Sequence, residues 1–153
     1  MEHDGHGHPE SLDRITLAAT LHCLTGCAIG EVAGMILGTA LGWGNSVTVI
    51  VSTALAFVAG FTLTALPFLR RGYSVAAAAR IAFAADAASI TVMEIVDNVL
   101  MLVIPGAMSA PLDSLLFWGS LAVSLVVAGI AAYPVNRWLI ARGRGHAVVH
   151  AHH

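Results

Sequence analysis

Two apolar segments of this 153-residue chain carry side chains that could bind metal ions. In the first segment Cys23, Cys27, Glu31 and Met35 recur every four residues, directly after His22. Residues four apart lie on one face of an α-helix, so these side chains form a single stripe. Thiolate, thioether and imidazole groups bind Cu(I), Zn(II) and related ions, whereas carboxylates provide harder ligands. The stripe therefore predicts a metal-binding face.

The second segment repeats this combination of sulfur and carboxyl groups on one helical face. Its members are Asp86, Met93, Glu94, Asp97 and Met101, with Asn98 alongside as a supporting residue. At a rise of about 1.5 Å per residue, the two stripes reach matching depths if both helices run in the same direction. The expected pairs are His22 with Asp86, Cys27 with Met93, Glu31 with Asp97, and Met35 with Met101.

Composition places both segments in a membrane. Apolar residues make up 58% of the chain and charged residues 10%, whereas a soluble domain has about 25% charged residues. Four stretches exceed the roughly 20 apolar residues that span a bilayer. The predicted fold is an all-α bundle of four transmembrane helices at residues 15–41, 47–69, 76–104 and 115–140, between tails 1–14 and 141–153. This composition excludes an ordinary water-soluble enzyme, and the net charge of −2 gives no reason to expect nucleic acid.

The few charged residues predict how the bundle is oriented. All seven cations are arginines, and they fall at one side of the four spans. Because positive charge stays inside, both termini are predicted to be cytoplasmic in a multi-pass protein of the inner (cytoplasmic) membrane. Each half of the chain has a polar span followed by an apolar one, which predicts a parallel two-helix duplication.

Four of the nine acidic residues lie inside the spans, where exposure to lipid would be costly. A charged side chain at mid-bilayer costs at least about 2.5–3.5 kcal/mol. These four carboxyl groups must therefore face a partner, a cavity or an ion.

Glycines form a second stripe on the first span, at Gly26, Gly30, Gly34 and Gly38. Small residues at four-residue spacing let another helix approach to backbone contact. We expect this face to pack against a helix, and a homo-oligomer joined through it is predicted.

Histidines concentrate in both tails of the chain, where we expect them to capture metal ions. Short histidine-rich tracts are a compositional signal of metal binding. The tail histidines are His3, His6, His8, His146, His150, His152 and His153.

The stretch HCLTGCAIGEVAGM at residues 22–35 resembles a bacterial family of small four-helix integral membrane proteins. That family is catalogued as a domain of unknown function. The resemblance covers about residues 17–140 and includes Met93-Glu94 and Asp97-Asn98. It implies the four-span fold and a membrane location, and it implies no activity.

The leading hypothesis is a membrane transporter or binding protein for a transition-metal ion of copper or zinc type. Carboxyl protonation would then be coupled to metal occupancy. One alternative is a membrane redox enzyme, in which Cys23 and Cys27, or a haem or metal on His22, exchange electrons with a quinone. Another is a non-catalytic assembly subunit whose Glu31 and Asp97 bond to a partner. Plain proton or small-cation conduction would leave the sulfur ligands unexplained, and the pattern favours transport over catalysis.

Overall fold

The computed structural model describes residues 11–142, which form four long helices joined by short connections. All four are long and apolar enough to cross a membrane. Large apolar side chains cover the outside of the bundle, for example Ile50, which is 68% exposed. The predicted all-α fold with four membrane-spanning helices is confirmed. The helices are α1 (Leu12–Leu41), α2 (Asn45–Arg70), α3 (Val75–Val103) and α4 (Leu115–Ala141).

Serine caps determine where three of the helices begin. The side chains of Ser11, Ser74 and Ser114 each accept a hydrogen bond from the backbone N–H three residues later. Such caps satisfy one of the N–H groups that the first turn leaves without a partner. Helix α1 consequently starts at Leu12, before the first residue of the predicted span. It ends at Leu41 and is capped by Gly42 in the left-handed conformation.

The α1 glycines pack against α2 of the same chain. A Cβ added to Gly26 would lie 2.6 Å from Gly60 Cα, and one added to Gly30 would overlap backbone atoms of Ala56. The next two glycines face Ser52 and Thr48 in the same antiparallel order. The expectation of a homo-oligomer joined through this glycine face is therefore wrong, because α2 already fills it.

The chain folds as two antiparallel helical hairpins, with α1 and α3 running parallel to each other. Helix α1 contacts each of the other three helices. Near one end of the bundle, Arg137 Nε lies 3.1 Å from Asp13 Oδ1, which joins the start of α1 to the end of α4. Arginines mark this end, which we call the arginine end: Arg14, Arg70, Arg71, Arg80, Arg137 and Arg142. The cytoplasmic location of this end stays a prediction.

A buried hydrogen bond between α1 and α4 provides a first test of this packing. Asn136 Nδ2 donates to Thr20 Oγ1 over 3.0 Å, and Asn136 is 1% exposed. Replacing Thr20 by Val keeps the side-chain shape and removes the acceptor. We expect a loss of about 1 kcal/mol in the free energy of unfolding, measured in detergent. Thr25→Val removes an exposed hydroxyl bonded to its own helix and serves as the control. An equal loss in both variants would contradict the prediction.

Candidate functional site

Sulfur and carboxyl side chains of α1 and α3 meet inside the bundle along a line that we call the interhelical seam. The Cys23 thiol donates to Asp86 Oδ1 over 3.6 Å, and the Cys27 thiol approaches Met93 Sδ at 3.9 Å. All four residues are buried. The predicted pairing of Cys27 with Met93 is thus present in the structure. Both cysteines are free thiols.

Helix α2 closes the seam near the arginine end. His22 Nε2 lies 2.9 Å from Thr64 Oγ1 of α2, and His22 is half-buried. Neighbouring residues on a helix point about 100° apart. His22 therefore reaches α2 while Cys23 reaches Asp86 on α3.

Three acidic residues, Glu31, Glu94 and Asp97, form a buried carboxyl cluster in the seam. Their exposed fractions are only 2–3%, and Glu31 interacts with both of the others. Within residues 11–142, Glu31 Oε2, Glu94 Oε1 and Asp97 Oδ1 have no hydrogen-bond partner. Buried polar atoms are nearly always paired with protein, water or an ion. Three such oxygens of three different residues thus lie in one buried cluster.

Asn98 connects the carboxyl cluster to α2. Its Nδ2 donates to Thr53 Oγ1 over 3.2 Å, and it approaches Glu94 Oε2 at 3.4 Å and the Glu94 carbonyl oxygen at 2.8 Å. These contacts hold one carboxylate oxygen of Glu94 in place and leave the other directed elsewhere. Asn98 therefore contacts both the carboxyl cluster and α2, and its supporting role stays a prediction.

The seam continues away from the arginine end to a pair of methionines. Met35 and Met101 belong to one buried cluster, which also contains Phe117 and Leu121 of α4. Both thioethers are at most 7% exposed. The expected pair of Met35 and Met101 is therefore brought together in this cluster.

The second span was predicted to be apolar, and no contribution of polar groups from α2 to the seam was expected. Hydroxyl groups of Thr53 and Thr64 contact the polar residues of α3 and α1. A signal was available, because small residues recur every four positions along this helix. They are Thr48, Ser52, Ala56, Gly60 and Thr64. All five residues are buried, and apart from Gly60 each is at most 8% exposed.

The seam differs from a preformed metal site of the common kind. Within the described part of the chain, no three side chains drawn from His, Cys, Asp and Glu are arranged to hold a metal ion. One group of neighbouring ligand-type atoms is instead a thiol, a thioether and a carboxyl group, because Cys27 interacts with both Met93 and Glu94. The tail histidines predicted to capture metal lie outside the described residues.

Comparison with known proteins identifies one family. The family model described as "Domain of unknown function (DUF4396)" matches residues 14–145, which include nearly all of the four helices and the whole seam. None of the curated proteins and none of the solved structures shows a significant match. Because the family model covers most of its length, the chain belongs to the DUF4396 family.

Proposed function

We propose that this protein binds a transition-metal ion of copper or zinc type in the interhelical seam and conducts it along the seam across the membrane. The observation that carries the proposal is the contact of the Cys27 thiol with the Met93 thioether and the Glu94 carboxyl group. Sulfur ligands favour Cu(I) and Zn(II) over hard cations. Ionisable residues inside a membrane bundle commonly mark an ion pathway.

Further ligand-type groups lie on either side of this contact. Cys23 and Asp86 lie about one to two turns closer to the arginine end, and Glu31 and Asp97 lie about one turn beyond it. A structural zinc site has four ligands around one closed position. A row of incomplete ligand sets is better suited to an ion that moves from one position to the next.

The carboxyl cluster supports exchange of metal for protons. The buried carboxyl groups of Glu31 and Asp97 interact with each other, and two carboxyl groups that share a buried site favour holding a proton between them. A metal ion that binds carboxylate or thiolate displaces protons from these ligands. We therefore expect metal binding to release protons and to weaken as the pH is lowered.

Equilibrium binding by the purified protein in detergent tests the proposal. Cu(I) is titrated without oxygen against a chromophoric chelator, and Zn(II) is titrated in a parallel experiment. We expect Cys27→Ser and Met93→Leu each to weaken Cu(I) binding at the seam by at least about 10-fold, because each removes a soft ligand. Met93→Leu conserves side-chain volume. Thr25→Val, on an exposed face of α1, is expected to retain wild-type affinity.

Two results would contradict this function. One is a wild-type protein that binds neither Cu(I) nor Zn(II). The other is a Cys27→Ser, Met93→Leu double variant with unchanged binding of both ions. An absorption spectrum of the same preparation tests the redox alternative, because a haem would give a strong visible band.

A further inference from the structure

A small cavity opens at the end of the bundle opposite the arginines. Its volume is about 80 Å³, which exceeds the roughly 30 Å³ that one water molecule occupies in the liquid. We call it the methionine pocket. Its lining includes Met35, Thr39, Trp43, Asn45, Met108 and Phe117.

Three of the five methionines in the chain gather at this pocket. Met35 and Met108 line it directly. Met101 lies in the same buried cluster as Met35, and Met108 packs against that cluster. Met35 and Met101 are also the last side chains of the interhelical seam. The pocket therefore adjoins the end of the seam at Met35.

The connection between α3 and α4 holds Met108 in position. Gly106 adopts φ 78°, a conformation that favours glycine, and Ala107 is completely buried beneath the loop. The backbone N–H of Ser109 donates to the Gly106 carbonyl oxygen over 3.2 Å. Met108 itself is half-buried and lines the pocket. The loop thus presents a thioether at the mouth of the seam.

Methionine often serves only to fill irregular gaps in a core. Here Met35 and Met108 border a cavity together with polar side chains of Thr39 and Asn45. Thioethers and polar groups that converge on one small space are the arrangement expected of a ligand site.

We infer that the methionine pocket is a second metal site, selective for Cu(I), at which the ion enters or leaves the seam. Thioethers are neutral, soft ligands that bind Cu(I) and discriminate against harder divalent ions. They need not lose a proton to bind. The indole ring of Trp43 adds a face that attracts cations. This inference rests on the proposed function, and it narrows the substrate to a monovalent soft ion.

Titration of the full-length protein with Ag(I), a redox-stable analogue of Cu(I), tests the pocket. We expect the Met35→Leu, Met108→Leu double variant to bind one equivalent less than the wild type. Leucine keeps the volume and apolar character of methionine while removing the sulfur. Met108→Leu alone changes only a half-buried loop residue, so it provides a test even if the double variant does not fold. We expect it to weaken binding of the same Ag(I) equivalent. Zn(II) binding is expected to be the same in Met108→Leu, which lies outside the seam, as in the wild type.

The outcomes separate this inference from the proposed function. Unchanged Ag(I) stoichiometry and affinity in the methionine variants would show that the pocket is not a metal site. Weaker Ag(I) binding by Cys27→Ser would then still support a metal site in the seam. Loss of one equivalent in the methionine variants, with Cys27→Ser behaving as wild type, would support the pocket and contradict the seam site. A wild-type protein that binds no Ag(I) would overturn the pocket, and one that binds neither Ag(I) nor Zn(II) would overturn both.

Discussion

Gly30→Ala is expected to destabilise the bundle by about 3 kcal/mol, because a single methyl group has no space between α1 and α2. A Cβ at this position would overlap backbone atoms of Leu55 and Ala56. Backbone atoms cannot rotate away as a side chain can, so the two helices must separate. Close packing around small residues is a main source of helix association in a membrane. Separation would also move His22 away from Thr64.

Gly119→Ala is the matched control for this prediction. Gly119 lies within α4, and a Cβ added there meets nothing within 4 Å apart from its chain neighbours and the backbone of its own helix. Alanine favours a helix over glycine by about 1 kcal/mol, so we expect unchanged or slightly increased stability. Thermal unfolding of both variants in the same detergent provides the comparison. Equal stability of Gly30→Ala and Gly119→Ala would show that the glycine face is not tightly packed.

Glu31→Gln is expected to leave the protein folded and to reduce metal flux by at least about 10-fold, because the substitution removes one ionisable group of the pathway. Glutamine has nearly the same shape as glutamic acid and can hydrogen-bond to Asp97 and Glu94. It cannot release a proton when a cation arrives. The variant therefore separates the packing role of this side chain from its role in charge exchange.

Vesicles containing the purified protein and an internal metal indicator measure the flux. Asp113→Asn removes an exposed carboxylate outside the four helices and serves as the control, with flux expected to match the wild type. Wild-type flux in Glu31→Gln would exclude the carboxyl cluster from the pathway. A destabilised Glu31→Gln variant that still binds metal normally would favour the alternative of an assembly subunit.

Much of the helical architecture was predictable because membrane spans obey simple length and hydrophobicity rules. The bounds differ from the predicted spans by only a few residues, and Ser11 explains the earlier start of α1. Helical rise and period also predicted that Cys27 would lie beside Met93 and that Glu31 would interact with Asp97. These pairings depend only on two parallel helices of regular geometry, which the order of the spans already implied.

The partner of each helix face was decided by the tertiary structure. The spacing of the α1 glycines predicted a close approach, but only the fold shows that α2 occupies that face. The same holds for Met108, whose position depends on how the loop after α3 turns at Gly106. A sequence period specifies which residues share a face. Which neighbour meets that face depends on connection geometry and on the packing of all four helices together, and these are properties of the whole bundle.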